Sequence, residues 1–136
     1  MKKRIHLGRE DFGSLVEEVL AKLPKKFRDR LENVAVVIED SPSPETLYEV
    51  GLKPPETLFG LYQGVPLKHR GFDYGNNLPD RIVIYQTPIE AVSRSLEEVA
   101  EQIRRTVMHE VGHFFGLEES DLRRIEEAKW KGKGAS

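Results

Sequence analysis

The segment His109-Glu110-Val111-Gly112-His113, continued by Phe114-Phe115-Gly116 and then Leu117-Glu118-Glu119, organises the reading of the whole chain. Two of the protein's four histidines stand four apart in it, with a glutamate between them. On an α-helix, residues i and i+4 lie about 40° apart on one face, so both imidazoles can address one ion about 2 Å from their nitrogens. Glu110 leaves the helix about 100° from His109, beside such an ion rather than on it, where its carboxylate can accept a proton from a bound water. His109 and His113 are therefore candidate metal ligands, and Glu110 is the candidate general base.

The residues beyond the second histidine complete the pattern. Gly116 is suited to the left-handed residue that ends a helix and lets the backbone turn sharply back. Glu119 then arrives six residues past His113, where a returning chain can bring a third ligand. Catalytic zinc sites commonly use three protein ligands and leave the fourth position to water, and His109, His113 and Glu119 would supply that set. Glu118 and Asp121 lie within reach of the same turn; Asp121 is the first alternative ligand. The acids Glu118-Glu119-Ser120-Asp121 can equally cap a last helix by meeting the positive end of its dipole. Gly112 costs about 1 kcal/mol relative to alanine inside a helix, which suggests a close approach to the backbone there.

The remainder bounds the setting. At 136 residues, residues 1–136 are expected to form one domain with a core of its own. There is no cysteine, hence no disulfide framework, and Met1-Lys2-Lys3-Arg4-Ile5-His6 has no apolar run after its charges, so neither signal peptide nor membrane span is expected. The expected location is the cytoplasm. A net charge of −2 with a pI near 6.1 carries no electrostatic footprint for nucleic acid. Charged residues reach 32%, with 17 Glu and 11 Arg against three Asn, three Gln and no Cys, a balance found in proteins of thermophiles.

Along the chain, Asp11 is placed to cap a first helix with Phe12, Leu15, Val16, Val19, Leu20 and Leu23 at helical spacing. Pro24 interrupts it before a further turn or two through Phe27 and Leu31. Val34–Ile38 is a β-branched run that reads as a buried strand. Ser43-Pro44-Glu45 reads as a capped helix start with Gly51 as its stop. Thr57–Tyr62 and Asp80–Tyr85 read as two more strands, the latter closed by Thr87-Pro88, with an exposed loop from Leu67 to Pro79 between them. Ser95-Leu96-Glu97-Glu98 is a capping box that opens the long helix carrying the metal motif. Its apolar stripe is Leu96, Val99, Ile103, Val107, Val111 and Phe114, and Gln102, Thr106, His109 and His113 form a second stripe beside it.

With the third-ligand spacing in place, the chain resembles the zincin superfamily, and His109 to Glu119 looks like the extended metzincin-style pattern with an acid as its final ligand. More closely, it resembles the small bacterial zincin-like metallopeptidases, whose members are little more than the minimal zincin core. That likeness runs from the first helix to about Leu122 and includes Gly60-Leu61-Tyr62-Gln63-Gly64-Val65-Pro66-Leu67, Leu78-Pro79-Asp80-Arg81-Ile82 and the His109 block. It implies an α+β fold: a small twisted sheet of three or four strands packed on the active-site helix, with further helices at both ends. No methionine follows the site, so the Met-turn of the larger metzincins is absent.

The expected activity is zinc-dependent peptide hydrolysis, with Zn2+ as cofactor and a peptide or protein as partner. The peptide is expected to pair with a sheet edge, the strand around Phe59 to Tyr62. Tyr74, Tyr62 and Arg81 are candidate donors to an oxyanion or to substrate. His69 and His6 read as solvated histidines. Two rival readings keep the motif: a metal-dependent hydrolase of RNA or another non-peptide substrate, and an interaction module whose metal site is latent or structural. The absence of cysteine speaks against a deformylase-like ligand set, and mild acidity speaks against RNA.

Overall fold

The computed structural model describes residues 5–64 and 80–114; the side chains of His113 and Phe114 are outside that description. Among the described residues, five helices and three strands come in the order α1 (Arg9–Ala21), α2 (Lys25–Arg30), a 3-10 turn (Leu31–Asn33), β1 (Ala35–Glu39), α3 (Pro44–Glu49), β2 (Gly60–Gln63), β3 (Arg81–Tyr85), α4 (Gln86–Ala91) and α5 (Leu96–Phe114). The architecture is α+β. The described strands form one mixed sheet in the order β1-β3-β2. β1 runs parallel to β3, with Val37 opposite Val83, and β2 runs antiparallel to it, with Leu61 opposite Val83.

Side chains alternate across a strand, so Val36, Ile38, Ile82, Ile84 and Tyr62 share one face of the sheet. Those residues join Phe12, Val16 and Val19 of α1, Phe27 of α2, Ile89 of α4, and Val99, Ile103, Val107 and Val111 of α5 in one apolar cluster. Ile82, Ile84, Val99, Ile103 and Val107 are wholly inaccessible. Each such side chain contributes roughly 1.5–3 kcal/mol by leaving water, which is why the helical spacing of α1 and α5 decides how they face the sheet. β3 lies between the other two strands and carries the most buried side chains. β2 is the edge.

Several expectations shift in detail. α1 begins at Arg9 with Gly8 as cap residue, not at Asp11, which sits in the first turn where its charge still meets the dipole. Arg9 fixes that start: its guanidinium reaches Gln86 Oε1 at 2.9 Å and Ile38 O at 3.1 Å, and it pairs with Asp40. β2 is shorter than Thr57–Tyr62 and displaced towards Gln63, with only the Phe59 carbonyl adding a sheet hydrogen bond before it. The chain passes from β3 into a helix at Gln86 rather than ending at Thr87-Pro88. Pro88 is tolerated because it lies in the first turn of α4, where a backbone N–H has no intrahelical acceptor. Leu96 is 56% exposed, since it stands at the first position of α5, before the helix has turned onto the sheet.

β1 is Ala35–Glu39 rather than Val34–Ile38, and its side chains are half-buried or exposed rather than buried, because it lies at an edge of the described sheet. The caps of α3 and α5 hold as read. Ser43 accepts from Thr46 N at 3.1 Å, and Gly51 adopts φ 83 after α3. Ser95 Oγ accepts from Glu98 N at 3.1 Å, while the Glu98 carboxylate reaches back to Arg94 N at 2.8 Å, one residue further than a strict capping box would place it.

Candidate metal centre and active site

The site begins where β2 crosses α5. Gly60 makes that crossing close: a Cβ there would stand 2.5 Å from Thr106 Cγ2 and 3.0 Å from the Val83 carbonyl oxygen, closer than a side chain tolerates. One helical turn beyond Thr106, Glu110 is 6% exposed, and its Oε1 accepts a hydrogen bond from the backbone N–H of Tyr62 at 2.7 Å. In an antiparallel pair, alternate residues turn their N–H and C=O outward. Phe59 bonds to β3 through its carbonyl, so Gly60 and Tyr62 are the outward residues, and the Tyr62 donor is the one that meets the carboxylate.

His109 is half-buried and precedes Glu110 on the same helix. Both line a cleft of about 440 Å³ bounded by Thr57, Leu58, Phe59 and Gly60 on one wall and by Gln102, Arg105 and Thr106 of α5 on the other. α5 is continuous through His113, so the backbone carries His109 and His113 on one helix face, one turn apart. The His113 side chain, Glu119, Asp121, Tyr74 and His69 lie outside the described residues, and among the described residues no group of three His, Cys, Asp or Glu side chains is set to hold a metal ion. Among the described residues one candidate ligand is in view, the His109 imidazole at the cleft wall, a donor type that zinc takes; the Glu110 carboxylate beside it is bonded to the sheet edge.

The remaining candidates fall elsewhere on the sheet and its margins. Tyr62 is half-buried; its hydroxyl donates to Asp80 Oδ1 at 3.1 Å, and its ring packs against the core. Arg81 opens β3, donates from Nε to Gln63 Oε1 at 2.5 Å and stands 3.8 Å from Glu39 Oε2. His6 is largely exposed, 3.5 Å from Glu90. Tyr85, buried at the end of β3, has its phenol pushed above the ordinary value of 10.0, first by burial and then by the charges of Glu39 and Glu110, with Arg81 opposing. Sequence reasoning misses three features: the Tyr62 backbone donor, buried Asp80 under the Tyr62 hydroxyl, and the cleft wall at Thr57 and Leu58. The one signal that points to any of them is Gly60 inside an apolar run, which marks a close backbone approach.

A helix carrying the HExxH spacing against the edge of a small mixed sheet is the arrangement of a zincin. The chain belongs to the zincin-like metallopeptidase family, whose model matches residues 31–130. That range starts after α1 and runs beyond Leu122, so it lies further towards the C-terminus than the span expected from the sequence. Among solved structures, a conserved hypothetical protein from Thermo thermophilus is similar, with 27% identity and a TM-score of 0.53, covering 86% of this chain and 99% of that one. No curated protein matches. Among the described residues no helix is long and apolar enough to cross a membrane.

Proposed function

We propose that this protein hydrolyses peptide bonds in the cleft between β2 and α5, with zinc held by His109, His113 and Glu119 and with Glu110 as general base. Asp121 is the alternative third ligand. Bound zinc supplies Lewis acidity that acidifies water and polarises a carbonyl. Glu110 takes the proton of the attacking water and passes it to the leaving amine. Its orientation for both transfers comes from the Tyr62 N–H, a backbone donor on a sheet strand that moves less than a side chain would. The observation that carries the reading is this contact, since it brings the motif glutamate, the first histidine and the sheet edge together on one cleft.

An extended peptide would add to the outer edge of β2, pairing with the outward groups of Gly60 and with the Tyr62 carbonyl. The experiment is zinc stoichiometry on purified protein combined with cleavage of a varied peptide library. His109→Ala should lose zinc and turnover together. Glu110→Gln should keep zinc and lose about 10²–10⁴-fold in turnover. Zinc without cleavage of any peptide would favour the latent-site or non-peptide readings, and equal cleavage by Glu110→Gln and parent would remove Glu110 from the mechanism.

A further inference from the structure

Neighbouring arginines on α5 point to different places. Arg104 is buried, with its guanidinium 2.5 and 2.9 Å from Glu101 Oε2 and 3.0 Å from Met108 Sδ. Arg105 is exposed and lines the cleft. Among the described residues lining the cleft, Arg105 is the one cation. The opposite wall at Thr57, Leu58, Phe59 and Gly60 carries no charge, and Gln102 and Thr106 are bonded to each other at 3.2 Å on the helix side.

The direction of the cleft is set by its two walls. Gly60 faces Thr106 and Tyr62 meets Glu110, so β2 advances along α5 in the helix's own sense. A peptide paired antiparallel to β2, the more stable arrangement, therefore runs the other way, from Glu110 back towards Gln102. Arg105 is four residues before His109, about 6 Å along the helix axis, which an extended peptide covers in about two residues.

The geometry points to Arg105 as a carboxylate-recognition residue: the cleft takes peptides with an acidic side chain within two residues on the C-terminal side of the bond that is cut. This deepens the peptidase reading and rests on it. A guanidinium matches a carboxylate with paired hydrogen bonds; the wall opposite is uncharged, and the carboxylate among the described lining residues, Glu110, lies five residues further along α5 and is bonded to Tyr62 N–H. Arg105 contributes to binding and register, not to the chemical step.

The test uses the full-length, zinc-loaded protein and blocked peptides made in pairs, with Glu or Gln at each position flanking the cleaved bond. Binding of the same pairs, dye-labelled, to Glu110→Gln is measured by fluorescence anisotropy. Glu should be favoured over Gln by about tenfold or more at the first or second residue downstream, mainly through KM, and the preference should shrink at high salt. Arg105→Gln should erase it, and Arg105→Lys should restore part. Equal handling of Glu and Gln, a preference that survives Arg105→Gln, or a preference upstream of the cut would overturn the assignment while leaving the peptidase standing. Acid-dependent binding without cleavage would do the reverse, keeping the subsite and removing the peptidase. Neither binding nor cleavage of any peptide would remove both.

Discussion

Glu90 and Glu110 are two buried carboxylates in similar positions and with different prospects. Glu90 on α4 is 7% exposed and Glu110 on α5 is 6% exposed. Each accepts a backbone N–H from a segment far off in sequence: Leu7 at 2.9 Å for Glu90, Tyr62 at 2.7 Å for Glu110. The surroundings then diverge. Glu90 is closed in by Gln86 Nε2 at 2.9 Å, which also bonds the Leu7 carbonyl at 2.8 Å, so the acid latches the N-terminal segment onto α4. Glu110 faces a cleft with a histidine next to it. Burial with a satisfied hydrogen bond is thus common to a fastening and to a candidate base, and access to substrate separates them.

The largest effect expected from this contrast is on turnover. Glu110→Gln should cost about 10²–10⁴-fold in kcat and, with one hydrogen bond weakened at Tyr62 N–H, about 1 kcal/mol or less of stability, whereas Glu90→Gln should leave kcat unchanged. Steady-state rates and thermal melts on both variants decide it, and a rate loss in Glu90→Gln would undo the distinction. Next comes Gly60→Ala, which should destabilise by about 1–3 kcal/mol and lower kcat, because overpacking pushes β2 off α5 and pulls the Tyr62 donor from Glu110. Adding Thr106→Ser, which removes the clashing methyl, should recover part of both; denaturant titration and rates on the double variant measure it. Recovery of stability alone would mean that the crossing does not set the base.

Glu90→Gln should then cost about 1–2 kcal/mol, since a neutral acceptor replaces a charged one at Leu7 N–H and Gln86. Hydrogen exchange at Leu7 should rise with it. The smallest effect concerns Tyr85. Its phenol ionises later in the folded chain than in the unfolded one, so above about pH 10 the unfolded state holds fewer protons and stability falls as pH rises. Tyr85→Phe should flatten that alkaline decline and change little at neutral pH, as denaturant curves across the range will report.

How far the sequence carries depends on the distance over which each cause acts. The Ser43 and Ser95 caps and the helical stripe of Val99, Ile103, Val107 and Val111 are local regularities, and the structure has them where the sequence puts them; the spacing of His109 and His113 is local too, and α5 runs through both positions. α4 is hidden because Gln86-Thr87-Pro88 carries the residues of a strand end, and tertiary contacts of the buried Gln86, Pro88, Ile89 and Glu90 hold it helical. Leu96 falls out of the stripe because periodicity does not say where a helix first touches its neighbour. The pairs Tyr62–Glu110 and Leu7–Glu90 join residues 48 and 83 apart, and no local pattern encodes either. The HExxH spacing is therefore readable, and the frame that holds its glutamate is not.

Because the hydrogen bond that steadies Glu110 is donated by a peptide group, it is shared by almost every amino acid that could stand at position 62. An alanine scan along β2 would pass over it in silence, recording only what the Tyr62 ring and hydroxyl do. Proline alone among the genetically encoded residues withdraws that proton. The orientation of this carboxylate is in this sense stored in the chain's common scaffold, out of reach of ordinary side-chain variation.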